Sequence, residues 1–256
     1  MKIAITGKGG TGKSTIAGIL IHYFVNNDYK VLAVDADPDA NLASAIGLSK
    51  EQTQSIIPIS EQYELTRERT GSNPGQFGQL FKMNPTVNDI PDKYSYLYNN
   101  IKLLILGGIK KGGSGCACPE NVLLKNLLTE IILNRKEVVI VDMEAGIEHL
   151  GRATTKSIDW MLIIVEPGTH SIDTAKTIMK LGREIGITQY GIIGNKIQNK
   201  SQVSWIRSYF PENLILGTVS YNPIVQEADV MQKPLINLLD SKLKEEFTRI
   251  FNLLMK

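Results

Sequence analysis

Cysteine and tryptophan are scarce, with two of each in 256 residues. Cys116 and Cys118 are too few to build the disulfide framework of a secreted domain, and too close together for a relaxed intramolecular bridge. No apolar run reaches the roughly 18 residues of a membrane span. The opening MKIAITGKGG enters a strand at once instead of presenting the apolar stretch of a signal peptide, so a cytoplasmic location is expected. Charge of one sign is not in excess either. Lys and Arg total 28 against 26 Asp and Glu, a formal charge of +2, which gives no strong field for nucleic acid or anionic lipid. Neither internal repeats nor low-complexity segments occur. What is present looks globular: 43% apolar and 21% charged residues exclude the disordered and collagen-like classes.

Short runs of Val, Ile and Leu without polar alternation mark strands covered on both faces. They are Lys2–Thr6, Val31–Asp35, Ile101–Leu106, Val138–Asp142, Trp160–Val165, Gly191–Gly194 and Leu214–Val219. Helical stretches separate them, including Lys13–Asn26, Val122–Arg135, Ile172–Ile185 and Ser201–Tyr209. A mainly β-α-β order implies one α/β domain over residues 1–256, a doubly wound, mainly parallel sheet with helices on both faces. Residues 58–98 interrupt this with scattered Pro, Gly, Asn and Tyr, and read as a long irregular excursion, the kind of segment that serves function or mobility; residues 77–98 within it are a candidate target-binding stretch. At the end, Leu243, Phe247, Ile250, Phe251 and Leu254 fall on one helical face. Docking on the core and lying on a membrane surface are both open to such a helix.

Gly7-Lys8-Gly9-Gly10-Thr11-Gly12-Lys13-Ser14 fits GxxxxGK[ST] between a strand and a helix, the context in which that pattern cradles phosphate. Glycines let backbone N–H groups turn inward, and the helix start adds partial positive charge. Gly9, Gly10, Thr11, Gly12, Lys13, Ser14 and Thr15 are thus the expected nucleotide contacts. Lys13 neutralises terminal phosphates and Ser14 offers its hydroxyl to Mg²⁺. Lys8 stands at the loop's start, placed to stabilise phosphate charge in trans across a dimer interface as an arginine finger does.

KGGTGKST resembles the deviant Walker A motif of the MinD, ParA, ArsA and nitrogenase iron-protein class of dimerising P-loop ATPases, and the resemblance spans nearly the whole chain. It implies that Asp37, in Asp35-Ala36-Asp37-Pro38-Asp39, is the switch I residue that orients attacking water. For Asp35 and Asp39 a turn or cap role and a catalytic one both stand. Val138–Asp142 resembles a Walker B strand whose aspartate holds Mg²⁺ through water, and Asp142-Met143-Glu144-Ala145-Gly146 resembles the class's switch II. Asn195-Lys196 resembles the motif that reads the base. Guanine selection in related GTPases uses an aspartate two positions after the lysine, where Gln198 stands here, so ATP is the expected nucleotide. Tyr221 and Pro223 lie where class members pass backbone along the adenine.

Cys116 and Cys118 stand where Pro119-Glu120 opens a helix, a position that favours thiolate. Two thiolates leave a tetrahedral metal two ligands short, and a twofold axis beside this loop would supply the other pair, completing four thiolates from two protomers. GCACPE with DMEAGIEHLGR, and the stretches KKGGSGCACPE and VEPGTHSIDTAK, closely resemble the CooC type of ATPases, which mature the nickel site of carbon monoxide dehydrogenase and acetyl-CoA synthase-linked relatives. By that resemblance the chain is a homodimer on nucleotide and metal binding, uses ATP and Mg²⁺, binds Ni²⁺ or Zn²⁺ through the cysteines, and serves one of those two enzymes as client. No nucleic-acid partner is expected, and a membrane partner is disfavoured. The alternatives are a MinD- or ParA-like positioning ATPase and an iron-protein-like reductase; against the latter, residues 143–151 hold no cysteine. His22, His149 and His170 are spare candidate ligands, His149 beside switch II.

Overall fold

The computed structural model of the chain describes residues 1–73, 80–108, 118–145, 157–231 and 233–256. Its strands are β1 (Lys2–Gly7), β2 (Val31–Ala36), β3 (Tyr96–Tyr98), β4 (Ile101–Ile105), β5 (Val138–Met143), β6 (Trp160–Val165), β7 (Tyr190–Ile197) and β8 (Ile215–Ser220). They form one sheet in the order β3-β4-β2-β5-β1-β6-β7-β8. Every neighbouring pair is parallel except β3 with β4. Strands β2 to β4 lie to one side of the central β5–β1 pair and β6 to β8 to the other. The carboxyl ends of β1 and β5 therefore open on the crevice where such sheets take ligands.

The helices are α1 (Lys13–Asn26), α2 (Leu42–Ala45), α3 (Lys50–Ser55), α4 (Tyr63–Thr70), α5 (Ile90–Tyr94), α6 (Pro119–Asn134), α7 (Thr169–Ile185), α8 (Lys200–Arg207), α9 (Ile224–Val230) and α10 (Ser241–Leu254). They cover both faces of the sheet, as the unalternating apolar runs imply. Ala4 of β1 faces one core with Leu127 of α6, Ile172 of α7 and Ile206 of α8. Its neighbours Ile3 and Ile5 face the other with Leu20 of α1, Leu42 of α2 and Phe247 of α10. The doubly wound α/β architecture is thus present.

Residues 58–98 differ from the expected irregular excursion. Among the described ones, a 3₁₀ turn at Ile59–Glu61, α4, α5 and β3 are regular, and Ile59, Leu65, Val87 and Ile90 are buried in the first core. Arg69 ties α4 to Asp89 at 2.8 Å, and Arg135 and Lys102 hold Asp92 at 2.7 and 2.6 Å. The α4 sequence YELTRERT buries only Leu65, Thr66 and Thr70, so no apolar stripe at helical period announces it. The terminal α10 is docked. Its Leu243, Phe247, Ile250, Phe251 and Leu254 are buried, Asp240 caps it by accepting from the Leu243 N–H at 2.8 Å, and Phe251 meets Phe24 of α1 edge-on at 5.0 Å. Among the described residues no helix is long and apolar enough to cross a membrane.

Candidate functional site

Between β1 and α1 the chain makes the turn that its glycines permit. Gly7 has φ +149°, and a Cβ there would meet the Ile164 carbonyl oxygen at 2.4 Å; Gly12 has φ +91°, and a Cβ would meet the Asn195 amide at 2.4 Å. Both positions demand glycine, one by approach to β6 and the other by approach to β7 in a left-handed conformation. The loop is fastened from behind. Thr11 donates through its hydroxyl to the Lys8 carbonyl at 2.8 Å, Asn195 Nδ2 donates to the Thr11 carbonyl at 2.7 Å, and Lys196 Nζ donates to the Gly10 carbonyl at 2.5 Å. Lys196 reaches the loop because β7 is irregular beyond Gly194 and its own backbone is left-handed, φ +58°. The first turn of α1 carries no acidic residue and its Gly12 cap no side-chain acceptor. Its N–H groups and positive dipole end therefore have no acidic residue of that turn to cap them.

Lys13, 8% exposed, meets Asp37 at 3.5 Å. Beside them the ends of β2 and β5 place Asp35 and Asp142 opposite one another in register. Both are fully buried, and their surroundings differ. The Asp35 carboxylate accepts from the Leu42 N–H at 2.9 Å and the Asp37 N–H at 3.2 Å; burial still pushes its pKa up to about 6. Among the described residues, neither oxygen of Asp142 has a partner in a hydrogen bond of good geometry. Burial, and then the negative charges of Asp35 and Asp37, push its pKa up to about 7 against the opposing influence of the nearby Ser14 hydroxyl and Lys13. A buried carboxylate with no backbone donor among the described residues, flanked by two more acids and a serine hydroxyl, is the donor set for a hard divalent cation. Ser14 and Asp142 fit Mg²⁺ on that ground.

Lys13, Ser14 and Asp37 line an open cleft of about 660 Å³, walled also by Gly9, Gly10, Gly12 and Thr15 and faced by Asp39 and Glu144, while the fully buried Asp35 and Asp142 are outside its lining. The volume is within the roughly 300–1,000 Å³ of small-molecule sites. Beside it an apolar slot of about 90 Å³ runs between Thr15, Ile16 and Ile19 and the segment Val219–Asn222, with Asn195 and Lys196 at its edge. Tyr221 thus lines the slot with Asn195. Pro223 is outside both linings and anchors the start of α9, its carbonyl accepting from the Gln226 N–H at 2.9 Å. Asn195, expected at the base, spends its amide donor on Thr11. Lys8, expected to stabilise phosphate charge in trans, is absent from the cleft lining and lies 3.8 Å from Glu166. Asp39 is exposed.

Gly146, Cys116 and His149 lie outside the described residues. Cys118 is the half-buried N-cap of α6, in extended conformation. Among the described residues no group of three or more His, Cys, Asp or Glu side chains is arranged to hold a metal ion. His22 is buried, pairs through Nε2 with the Ile46 carbonyl at 2.9 Å, and has its pKa lowered by that burial, so it fastens α1 to the end of α2. His170 is exposed in the first turn of α7.

Five further residues have no role assigned from the sequence, although Glu166 lies in the VEPGTHSIDTAK stretch. Glu166 binds both Lys8 and Lys196, at 3.8 and 3.2 Å. Thr6, fully buried, donates to the Glu144 carbonyl at 2.7 Å and joins β1 to the segment after β5. Val225 and Gln226 of α9, with Lys233 beyond it, complete the cleft wall. A lone acid after a strand or a threonine within one gives no spacing to read; α9 is too short to show helical period.

Residues 2–235 match the model of the CobQ/CobB/MinD/ParA nucleotide binding domain. An uncharacterized ATP-binding protein of Methanocaldococcus jannaschii is 47% identical over 100% of this chain and 98% of its own length. The carbon monoxide dehydrogenase accessory protein CooC of Rhodospirillum rubrum is 45% identical over 90% of this chain and 87% of its own. Among solved structures, a ParA family ATPase of Chlorobium tepidum superposes with TM-score 0.70 at 18% identity, covering 100% of this chain and 97% of that one. The septum site-determining protein MinD of Pyrococcus horikoshii, complexed with Mg-ADP, gives 0.68 at 19% identity over the same shares. These likenesses place the sheet and its loop in a known fold. The chain belongs to the CobQ/CobB/MinD/ParA family of P-loop nucleotide-binding domains, and within it is a relative of CooC.

Proposed function

We propose that the chain is a Mg²⁺-dependent ATPase that acts as a homodimer and drives nickel insertion into the active-site cluster of carbon monoxide dehydrogenase or of a linked acetyl-CoA synthase. The observation that carries the ATPase reading is the buried, unpartnered Asp142 carboxylate facing Ser14 beside the Lys13–Asp37 pair. The client reading is supported by the 45% identity to CooC. Bound Mg²⁺ would supply the charge that neutralises the terminal phosphates. The loop amides and Lys13 hold those phosphates. Lys13 exchanges Asp37 for phosphate, which leaves the Asp37 carboxylate to orient the attacking water and accept its proton, most of the acceleration coming from positioning and charge neutralisation. The slot between Asn195 and Tyr221 takes the base, with Gln198 favouring ATP over GTP. Cys116 and Cys118 from two protomers bind one Ni²⁺ or Zn²⁺ as cargo, completing four thiolates.

Lys13→Ala is expected to cut ATP turnover at least 100-fold through lost phosphate charge stabilisation, and unchanged turnover would overturn the site. Anaerobic titration with Ni²⁺ and Zn²⁺ is expected to give one ion per two chains, lost in the Cys116→Ser/Cys118→Ser double variant. No metal uptake would leave a metal-independent switch ATPase, and an iron–sulfur spectrum a reductase. A positioning ATPase held to membrane by its last helix is disfavoured here, because the apolar face of α10 is spent on the core.

A further inference from the structure

Glu166 sits between the two lysines that flank the phosphate loop. Its Oε2 lies 3.2 Å from Lys196 Nζ and its Oε1 3.8 Å from Lys8 Nζ. The carboxylate stands on a fixed base, since the Glu166 N–H donates to the Ser171 hydroxyl at 3.1 Å and Ser171 is 2% exposed. The two lysines differ in what else holds them. Lys196 has a second partner, the Gly10 carbonyl, and a left-handed backbone that aims it there. Lys8 has Glu166 as its ion-pair partner among the described residues, and both side chains are partly exposed, at 44% and 26%. One carboxylate thus neutralises a lysine that stays and a lysine that is free to leave.

We infer that Glu166 is a positioning residue that holds Lys8 outside the phosphate cleft in the nucleotide-free chain and sets the electrostatic cost of bringing it in. The inference rests on the reading of the cleft as a nucleotide site. A polyphosphate carries more negative charge than a carboxylate, so Lys8 changes partner when nucleotide is present, while Lys196 keeps the Gly10 carbonyl in place. Removing the charge of Glu166 releases Lys8 and leaves the loop fastened through Asn195 and Lys196. The partly exposed Lys8–Glu166 contact is of the weak, salt-sensitive kind, which suits a contact that must break each time nucleotide binds.

The test is a double-mutant cycle on the full chain, read as the dissociation constant for Mg²⁺ with a non-hydrolysable ATP analogue at low salt. Glu166→Gln, which keeps the side chain's shape, is expected to tighten binding about threefold to fivefold, with the gain shrinking as salt rises. In a Lys8→Gln background the same change is expected to have no effect. A structural role alone would give the opposite pattern. Binding that weakens or stays the same in Glu166→Gln, or a gain that persists without Lys8, would overturn the inference while leaving the nucleotide site intact. A wild-type chain that does not bind the analogue would overturn the nucleotide reading and this inference with it.

Discussion

Asp35 and Asp142 end neighbouring strands, face each other in register and are equally buried, yet one is complete and the other is not. The loop after β2 folds back so that the Asp37 and Leu42 N–H groups satisfy Asp35, which makes it the organiser of the segment that carries Asp37. After β5, Thr6 instead donates to the Glu144 carbonyl, and among the described residues no group makes a hydrogen bond of good geometry to Asp142. A buried polar group without a partner costs about 1–3 kcal/mol, more when charged. The difference separates a residue that shapes the segment after β2 from one whose oxygens are left to the side chains around it.

The sharpest way to break this comparison is to neutralise each acid. Asp142→Asn is expected to reduce Mg²⁺-dependent ATP turnover at least 100-fold, whereas Asp35→Asn, which disturbs only the loop, is expected to cost less than tenfold. Stability is expected to move the other way. Without Mg²⁺ at pH 8, Asp142→Asn removes an uncompensated buried charge and should stabilise the chain by roughly 1–3 kcal/mol in urea unfolding. Asp35→Asn should destabilise it by about 1–2 kcal/mol, because an amide accepts only one of the two backbone bonds and turns a donor toward the other.

A smaller effect follows from pH. Both carboxyls are raised from the usual 3.8, Asp35 to about 6 and Asp142 to about 7. Each therefore contributes stability that is fully present below the unfolded value and lost as pH rises through the folded one. The Mg²⁺-free chain is expected to be more stable at pH 5 than at pH 8 by roughly 1–3 kcal/mol, measured by urea unfolding at the two values. In Asp142→Asn the loss between them should shrink, and the stabilising effect of that substitution should be smaller at pH 5 than at pH 8.

Much of the fold can be read from the residues because burial on both faces removes polar alternation from β1, β2, β4, β5, β6 and β7. The edge strand β3 escapes that reading. It has three residues, and Leu97 between its tyrosines is 70% exposed. The phosphate loop is legible because only glycine fits where β6 and β7 approach it. Asp35 and Asp142 look alike in sequence, each closing an apolar run, since what separates them is whether backbone N–H groups of the described residues reach the carboxylate. Glu166 lies in a stretch that carries the resemblance, but its contacts were not legible, because they come from two lysines brought to it by the ends of β1 and β7.

ATP turnover of the wild-type, Asp35→Asn and Asp142→Asn chains, followed across a Mg²⁺ titration, tests the central claim most directly. The account predicts that Asp142→Asn stays inactive at every Mg²⁺ concentration while Asp35→Asn keeps a Mg²⁺-dependent rate within tenfold of wild type. Wild-type turnover by Asp142→Asn, or equal losses in the two variants, would contradict it.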